Sequence, residues 1–109
     1  MEVSRLSREG ATATLKRGVS IHSPLFSLKF LKNPLNKAYL AISVSKKEEK
    51  TAVGRNRIKR RLKAAFKKAL EQGEITGNFM VIAKKASKIS PFLALSEEVE
   101  RAVEKLFKL

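Results

Sequence analysis

The sequence predicts an α+β fold, a single-domain two-layer sandwich over residues 1–109 with elements in the order α-β-β-α-β-α. Length is the first observation behind this, since 109 residues suffice for one hydrophobic core and are too few for two. The second is a change of hydrophobic period, near two residues over 38–44 and near 3.6 over 53–70. The third is a strand, a helix and an apolar strand in succession at 38–44, 53–70 and 79–83. Such a β-α-β unit implies one parallel pair, whose crossover is right-handed as a general rule.

Residues 4–17 read as a short helix, with Ser4 as N-cap, Leu6, Ala11 and Leu15 as its apolar positions and Gly18 as its stop. Gly10, Thr12 and Thr14 weaken it. Residues 25–31 alternate in part, placing Phe26, Leu28 and Phe30 on one strand face. The turn Asn33-Pro34-Leu35-Asn36 leads to a second strand, 38–44, with Leu40, Ile42 and Val44 on one side and Tyr39, Ala41 and Ser43 on the other. Ile58, Leu62, Ala65, Phe66, Ala69 and Leu70 then form one helical stripe, stopped by Glu71-Gln72-Gly73. Residues 79–83 are apolar throughout, as in a strand covered on both faces. After a Ser90-Pro91 turn, Ser96-Glu97-Glu98-Val99 reads as a helix start. Val99, Ala102, Val103, Leu106 and Phe107 form the buried stripe of that helix.

Composition restricts the chemistry. No apolar run approaches the roughly 20 residues of a membrane span, and no signal-peptide apolar region is present, so the expectation is a cytoplasmic chain without a membrane partner. The absence of cysteine excludes disulfides, thiolate nucleophiles and thiolate metal sites. Ten Glu and no Asp stand against sixteen Lys and eight Arg, for a net charge of +14. That charge repels itself in a compact state and points to a polyanionic partner. With one His and no Asp, most side-chain catalytic constellations cannot be assembled, so no catalytic residue, no metal ligand and no small-molecule substrate are expected.

The charge is concentrated. Residues 46–68 hold eleven basic side chains against Glu48 and Glu49. A helical wheel turns Arg57, Arg60, Arg61, Lys63, Lys67 and Lys68 away from the apolar stripe, and Arg55 projects from the first turn. A solvated surface helix normally interleaves signs for i,i+4 pairing. The last helix does so, with Glu97 facing Arg101 and Glu104 facing Lys108, whereas no acid lies between Arg55 and Lys68. Phosphates would turn this mutual repulsion into attraction, and the planar arginine fork suits them.

Other candidates carry less. His22 has no second His or Cys to share a metal and reads as structural or surface-exposed. Glu48-Glu49 reads as part of a solvated loop, without the burial that shifts carboxylate pKa values for acid–base work. Glu97, Glu98, Glu100 and Glu104 read as compensation of a helix dipole plus ion pairs. Phe26 and Phe30 are core or stacking residues, and Tyr39, of the other parity, is either core or a base-stacking platform.

The stretch Ser43-Val44-Ser45-Lys46-Lys47, followed by Ala52-Val53-Gly54-Arg55-Asn56-Arg57-Ile58-Lys59-Arg60, resembles the bacterial ribonuclease P protein component. Arg5-Leu6, Lys16-Arg17-Gly18, Phe26 and Val81-Ile82-Ala83-Lys84-Lys85 extend the resemblance along nearly the whole chain. It implies an α+β domain with a left-handed β-α-β crossover. It further implies a subunit that joins a catalytic RNA, ribonuclease P RNA, in removing the 5′ leader of precursor tRNA, an endonuclease whose hydrolysis is performed by RNA-held Mg2+ with no cofactor bound by protein side chains alone. The RNA-binding residues it implies, together with the charge pattern, are Lys46, Lys47, Arg55, Asn56, Arg57, Lys59, Arg60, Arg61, Lys63 and Lys67. A leader cleft between the first helix and the sheet would involve Ala11, Leu15, Phe30 and Tyr39.

Two departures stand out. Ala11 and Leu15 occupy positions where family members usually carry aromatics, and the link Glu48-Glu49-Lys50-Thr51 is one residue longer and lacks its glycine. Asn56 has two readings, a helix cap or a side-chain contact to the catalytic RNA. Competing functions are a general RNA-binding module, such as a ribosomal protein, and a self-sufficient nuclease, which the missing Asp, Cys and second His disfavour.

Overall fold

A computed structural model describes residues 2–107. Within these residues five strands, β1 (Val3–Arg5), β2 (Val19–His22), β3 (Phe26–Leu31), β4 (Ala38–Ser43) and β5 (Gly77–Ala83), form one sheet in the order β1-β4-β5-β3-β2. Four helices accompany them: α1 (Arg8–Arg17), α2 (Ala52–Gly73), α3 (Ala86–Ile89) and α4 (Phe92–Phe107). The α+β class and the parallel β4–β5 pair around α2 are as expected, with Leu40 opposite Phe79 and Ile42 opposite Val81. Antiparallel β3 flanks β5 on its other side.

The element order is longer than the periodicity predicts. Ser4 is not a helix cap: it lies in β1, paired with Tyr39 in a parallel ladder. The cap of α1 is Ser7, whose Oγ accepts from the Gly10 amide at 3.0 Å. Strand β2 pairs antiparallel with β3. Both extra strands are three or four residues long, too short to show a period of their own, and exist because a neighbouring edge supplies hydrogen bonds. At the other end, α4 starts at Phe92 and not at Ser96, with the Leu95 amide donating to the Pro91 carbonyl and Leu95 fully buried. The last helix pairs Arg101 with Glu98 at 2.5 Å, not with Glu97, because i,i+3 also brings side chains together. The expected Glu104–Lys108 pair and the Phe107 side chain lie outside the described residues.

The core lies between one sheet face and the helices α2 and α4. Phe26, Leu28, Phe79 and Val81 from the sheet meet Ile58, Leu62, Phe66 and Leu70 of α2, and Leu95 and Val99 of α4; all are essentially inaccessible to solvent. Phe26 and Phe66 join strand to helix in an edge-to-face pair, centroids 5.2 Å apart. On the opposite parity of β5, Met80 is also buried, and α1, which contributes nothing to that core cluster, packs on β5 and β3 there. The α1 surface against the sheet is small: Thr14 is fully buried, its hydroxyl donating to the Gly10 carbonyl at 2.7 Å. Gly77 opens β5 with φ of 132°, where a Cβ would lie 2.3 Å from the Phe30 ring, so this position needs glycine twice over.

Candidate nucleic-acid interface

Helix α2 begins at a cap the sequence reading overlooked. Thr51 is the N-cap, its hydroxyl accepting from the Gly54 amide at 3.0 Å. The arrangement corrects the cap reading of Asn56, which sits five residues into the helix with its side chain exposed. Gly54 is buried, because the Glu49 side chain occupies the space where a Cβ would project.

Beyond that start, the apolar stripe faces inward as its spacing predicts. Arg57, Lys59, Arg60, Lys63 and Lys67 are exposed on the outer side, as are Lys46 and Lys47 just before the helix. No hydrogen bond or ion pair occupies Arg57, Arg60 or Lys63 among the described residues. These side chains form a row of cations with free donor groups.

Two arginines assigned to that row are not free. The Arg55 guanidinium folds back to donate to the carbonyls of Glu49 (3.1 Å) and Lys50 (2.8 Å), holding the loop that leads into α2. Arg61 donates to the Lys88 carbonyl at 2.6 Å and to the Ser90 carbonyl, clamping the α3–α4 turn onto α2. No sequence signal marks either one, since the partners are main-chain carbonyls up to 29 residues away.

The Glu48-Glu49 loop is likewise not a solvated one. Glu48 Oε2 accepts from the Lys85 amide at 3.0 Å. Glu49 accepts from the amide and hydroxyl of Thr51 and pairs with Lys88 at 2.5 Å, leaving its side chain only 10% exposed. The Lys88 hydrogen bond, followed by that from the Thr51 amide, holds the Glu49 carboxyl well below its usual range, at about 2. Two acids thus tie the entrance of α2 to the segment after β5.

The expected leader-cleft residues do not converge. Register places Tyr39 opposite Ser4 and Asn78, on the sheet face that carries Leu31, Met80 and Ile82. Phe30 points the other way, toward the core, its ring 5.1 Å from Phe79. Phe30 and Tyr39 therefore cannot line one cleft, because adjacent parities of a sheet face opposite sides. Ala11 is half-buried and Leu15 largely exposed on α1. His22, also on the Tyr39 face, has Nδ1 3.2 Å from Ser27 Oγ.

The ribonuclease P family model matches residues 5–107. The ribonuclease P protein component of Clostridium kluyveri is 32% identical over 108 residues, covering 96% of each chain. That of Photobacterium profundum is 39% identical over 87 residues, 78% of this chain and 68% of the relative. Among solved structures, the RNase P protein from Thermotoga maritima superposes with a TM-score of 0.76 at 25% identity, over 100% of this chain and 98% of that one. The Staphylococcus aureus RNase P protein gives 0.74 at 22% identity, over 97% and 95%. A family match along almost the whole chain, and a relative of the same length at this identity, place the chain in the ribonuclease P protein family.

Proposed function

We propose that the exposed row Lys46, Lys47, Arg57, Lys59, Arg60, Lys63 and Lys67, with Asn56 among them, receives the phosphates of ribonuclease P RNA, and that the assembled particle removes the 5′ leader of precursor tRNA. Family membership carries the coarser statement: the chain is the protein component of an endoribonuclease complex, associates with ribonuclease P RNA and serves tRNA 5′ processing. The observation that carries the finer reading is the outer face of α2, cationic from Arg55 to Lys68 without an acid and with Arg57, Arg60 and Lys63 unbound among the described residues.

On this reading the protein binds and positions, and the RNA performs hydrolysis. The side chains support that division: no group of three or more His, Cys, Asp or Glu comes together among the described residues. On this reading Mg2+ is held by the RNA. Arg55 and Arg61 act one step removed, holding the backbone on which the free cations stand. The sheet face bearing Tyr39, Ala41 and Ser43, next to α1, is the surface left for the precursor leader, without the Phe30 ring.

The deciding experiment is cleavage of precursor tRNA by the cognate ribonuclease P RNA at low magnesium, with and without the protein. Stimulation by the protein is expected. Binding without stimulation would leave a general RNA-binding module, and cleavage by the protein alone would overturn the division of labour.

A further inference from the structure

The end of α3 and the start of α4 expose three large apolar side chains within five residues: Ile89 at 81%, Phe92 at 47% and Leu93 at 72%. Single exposed apolar residues need no explanation, but a cluster on a highly charged protein does. Its placement is fixed. Arg61 holds the carbonyls of Lys88 and Ser90, and Glu49 holds the Lys88 ammonium. The backbone that carries these side chains is thereby clamped to α2 at Arg61, one helical turn beyond Arg57.

Charge selects the occupant. A second copy of the chain would bring a net +14 against +14, which opposes self-association. A polyanion is drawn to the same place. An unpaired nucleotide matches both halves of the surface, with its phosphates toward the arginines and its base toward the ring of Phe92. The geometry points to Phe92, bordered by Ile89 and Leu93, as a stacking shelf for an unpaired base of the RNA whose phosphates run along α2. This rests on the reading of α2 given above and extends it from phosphate contact to base contact.

The chain has no tryptophan and one tyrosine, so Phe92→Trp introduces a lone tryptophan at the shelf, excited selectively beside Tyr39. Cognate ribonuclease P RNA should change its emission, and phosphatidylglycerol–phosphatidylcholine vesicles should not. Phe92→Leu keeps apolar bulk but lacks a π-face. It should melt like wild type, bind the RNA about 5- to 100-fold more weakly, and keep the same dependence on salt, since no phosphate contact is removed. Phe92→Tyr should bind like wild type. The proposal is overturned if Phe92→Leu binds normally, if the reporter responds to vesicles and not to RNA, or if the chain forms a dimer that Phe92→Leu abolishes. Normal binding by a variant with Arg57, Arg60 and Lys63 all changed to Ala would overturn the α2 reading and the shelf with it. Weak binding by that variant beside normal binding by Phe92→Leu would overturn the shelf alone.

Discussion

The Glu49 carboxylate meets the Lys88 ammonium at 2.5 Å across 39 residues of sequence, tying the entrance of α2 to α3. With the Glu48 contact to Lys85 and the Arg61 clamp on residues 88 and 90, it makes a belt around the start of the cationic helix. A row of free cations binds RNA more tightly when its backbone is already in place, because ordering it on binding would cost affinity.

The belt should be sensitive to acid. The Glu49 carboxyl titrates near 2 in the folded chain, against an ordinary 4.5. A depressed folded pKa gives stability that is complete above the unfolded value and is lost as pH falls through the folded one. Wild type should therefore melt above Glu49→Gln at pH 6, by a margin that narrows from pH 4.5 toward pH 2. A margin constant over that range would show that the ion pair contributes nothing.

The free cations should govern the salt dependence of RNA binding. Each neutralised phosphate contributes about 0.7–0.9 to the slope of log K against log salt. Changing Arg57, Arg60 and Lys63 together to Ala should flatten the slope by roughly two to three units, with an unchanged melting temperature. Arg61→Ala should differ in kind, lowering the melting temperature because two carbonyls lose their donor. Equal melting of both variants would return Arg61 to the free row.

Thr51 and Asn56 should separate stability from binding. Thr51→Ala removes a helix cap and should cost about 1 kcal/mol. Asn56→Asp, exposed and beyond the first turn, should leave stability nearly unchanged. It should impair holoenzyme assembly and precursor-tRNA cleavage more than Lys63→Glu does, although the latter changes charge by twice as much, because a carboxylate cannot donate where the amide did. If Asn56→Asp were the milder variant in both assays, a specific Asn56 contact would be ruled out.

Phe66→Ala should act through the core. Its ring is fully buried against Phe26, and such a truncation costs about 3–5 kcal/mol, a large part of the stability of so small a domain. Thermal melting should fall steeply, with RNA binding recovered at low temperature. Normal melting with lost binding would instead place Phe66 in the interface.

Much of this molecule was legible because it repeats at short range. The stripe Ile58, Leu62, Ala65, Phe66 and Leu70 is written at helical spacing and is buried as spaced, and the alternation of Leu40 with Tyr39 correctly assigns opposite sheet faces. The cationic outer side of α2 follows from the same wheel. Ser4 and Ser96 misled because each is a good capping residue, yet Ser4 is taken into a parallel ladder with Tyr39 and Ser96 lies within a helix whose apolar contacts begin earlier, at Leu95.

By itself, then, the sequence determined which side of each long element is apolar, where positive charge gathers and, through the run from Ser43 to Arg60, the family. Only the tertiary structure decided which of those charges are available. Arg57 and Arg61 are one helical turn apart and indistinguishable by pattern. Arg61 is occupied because a segment 27 residues away brings the Lys88 carbonyl to it, while Arg57 meets no partner among the described residues. Periodicity records how a residue sits on its own element; whether its donors are free depends on which backbone folds against them, and that contact is set by the packing of the whole chain.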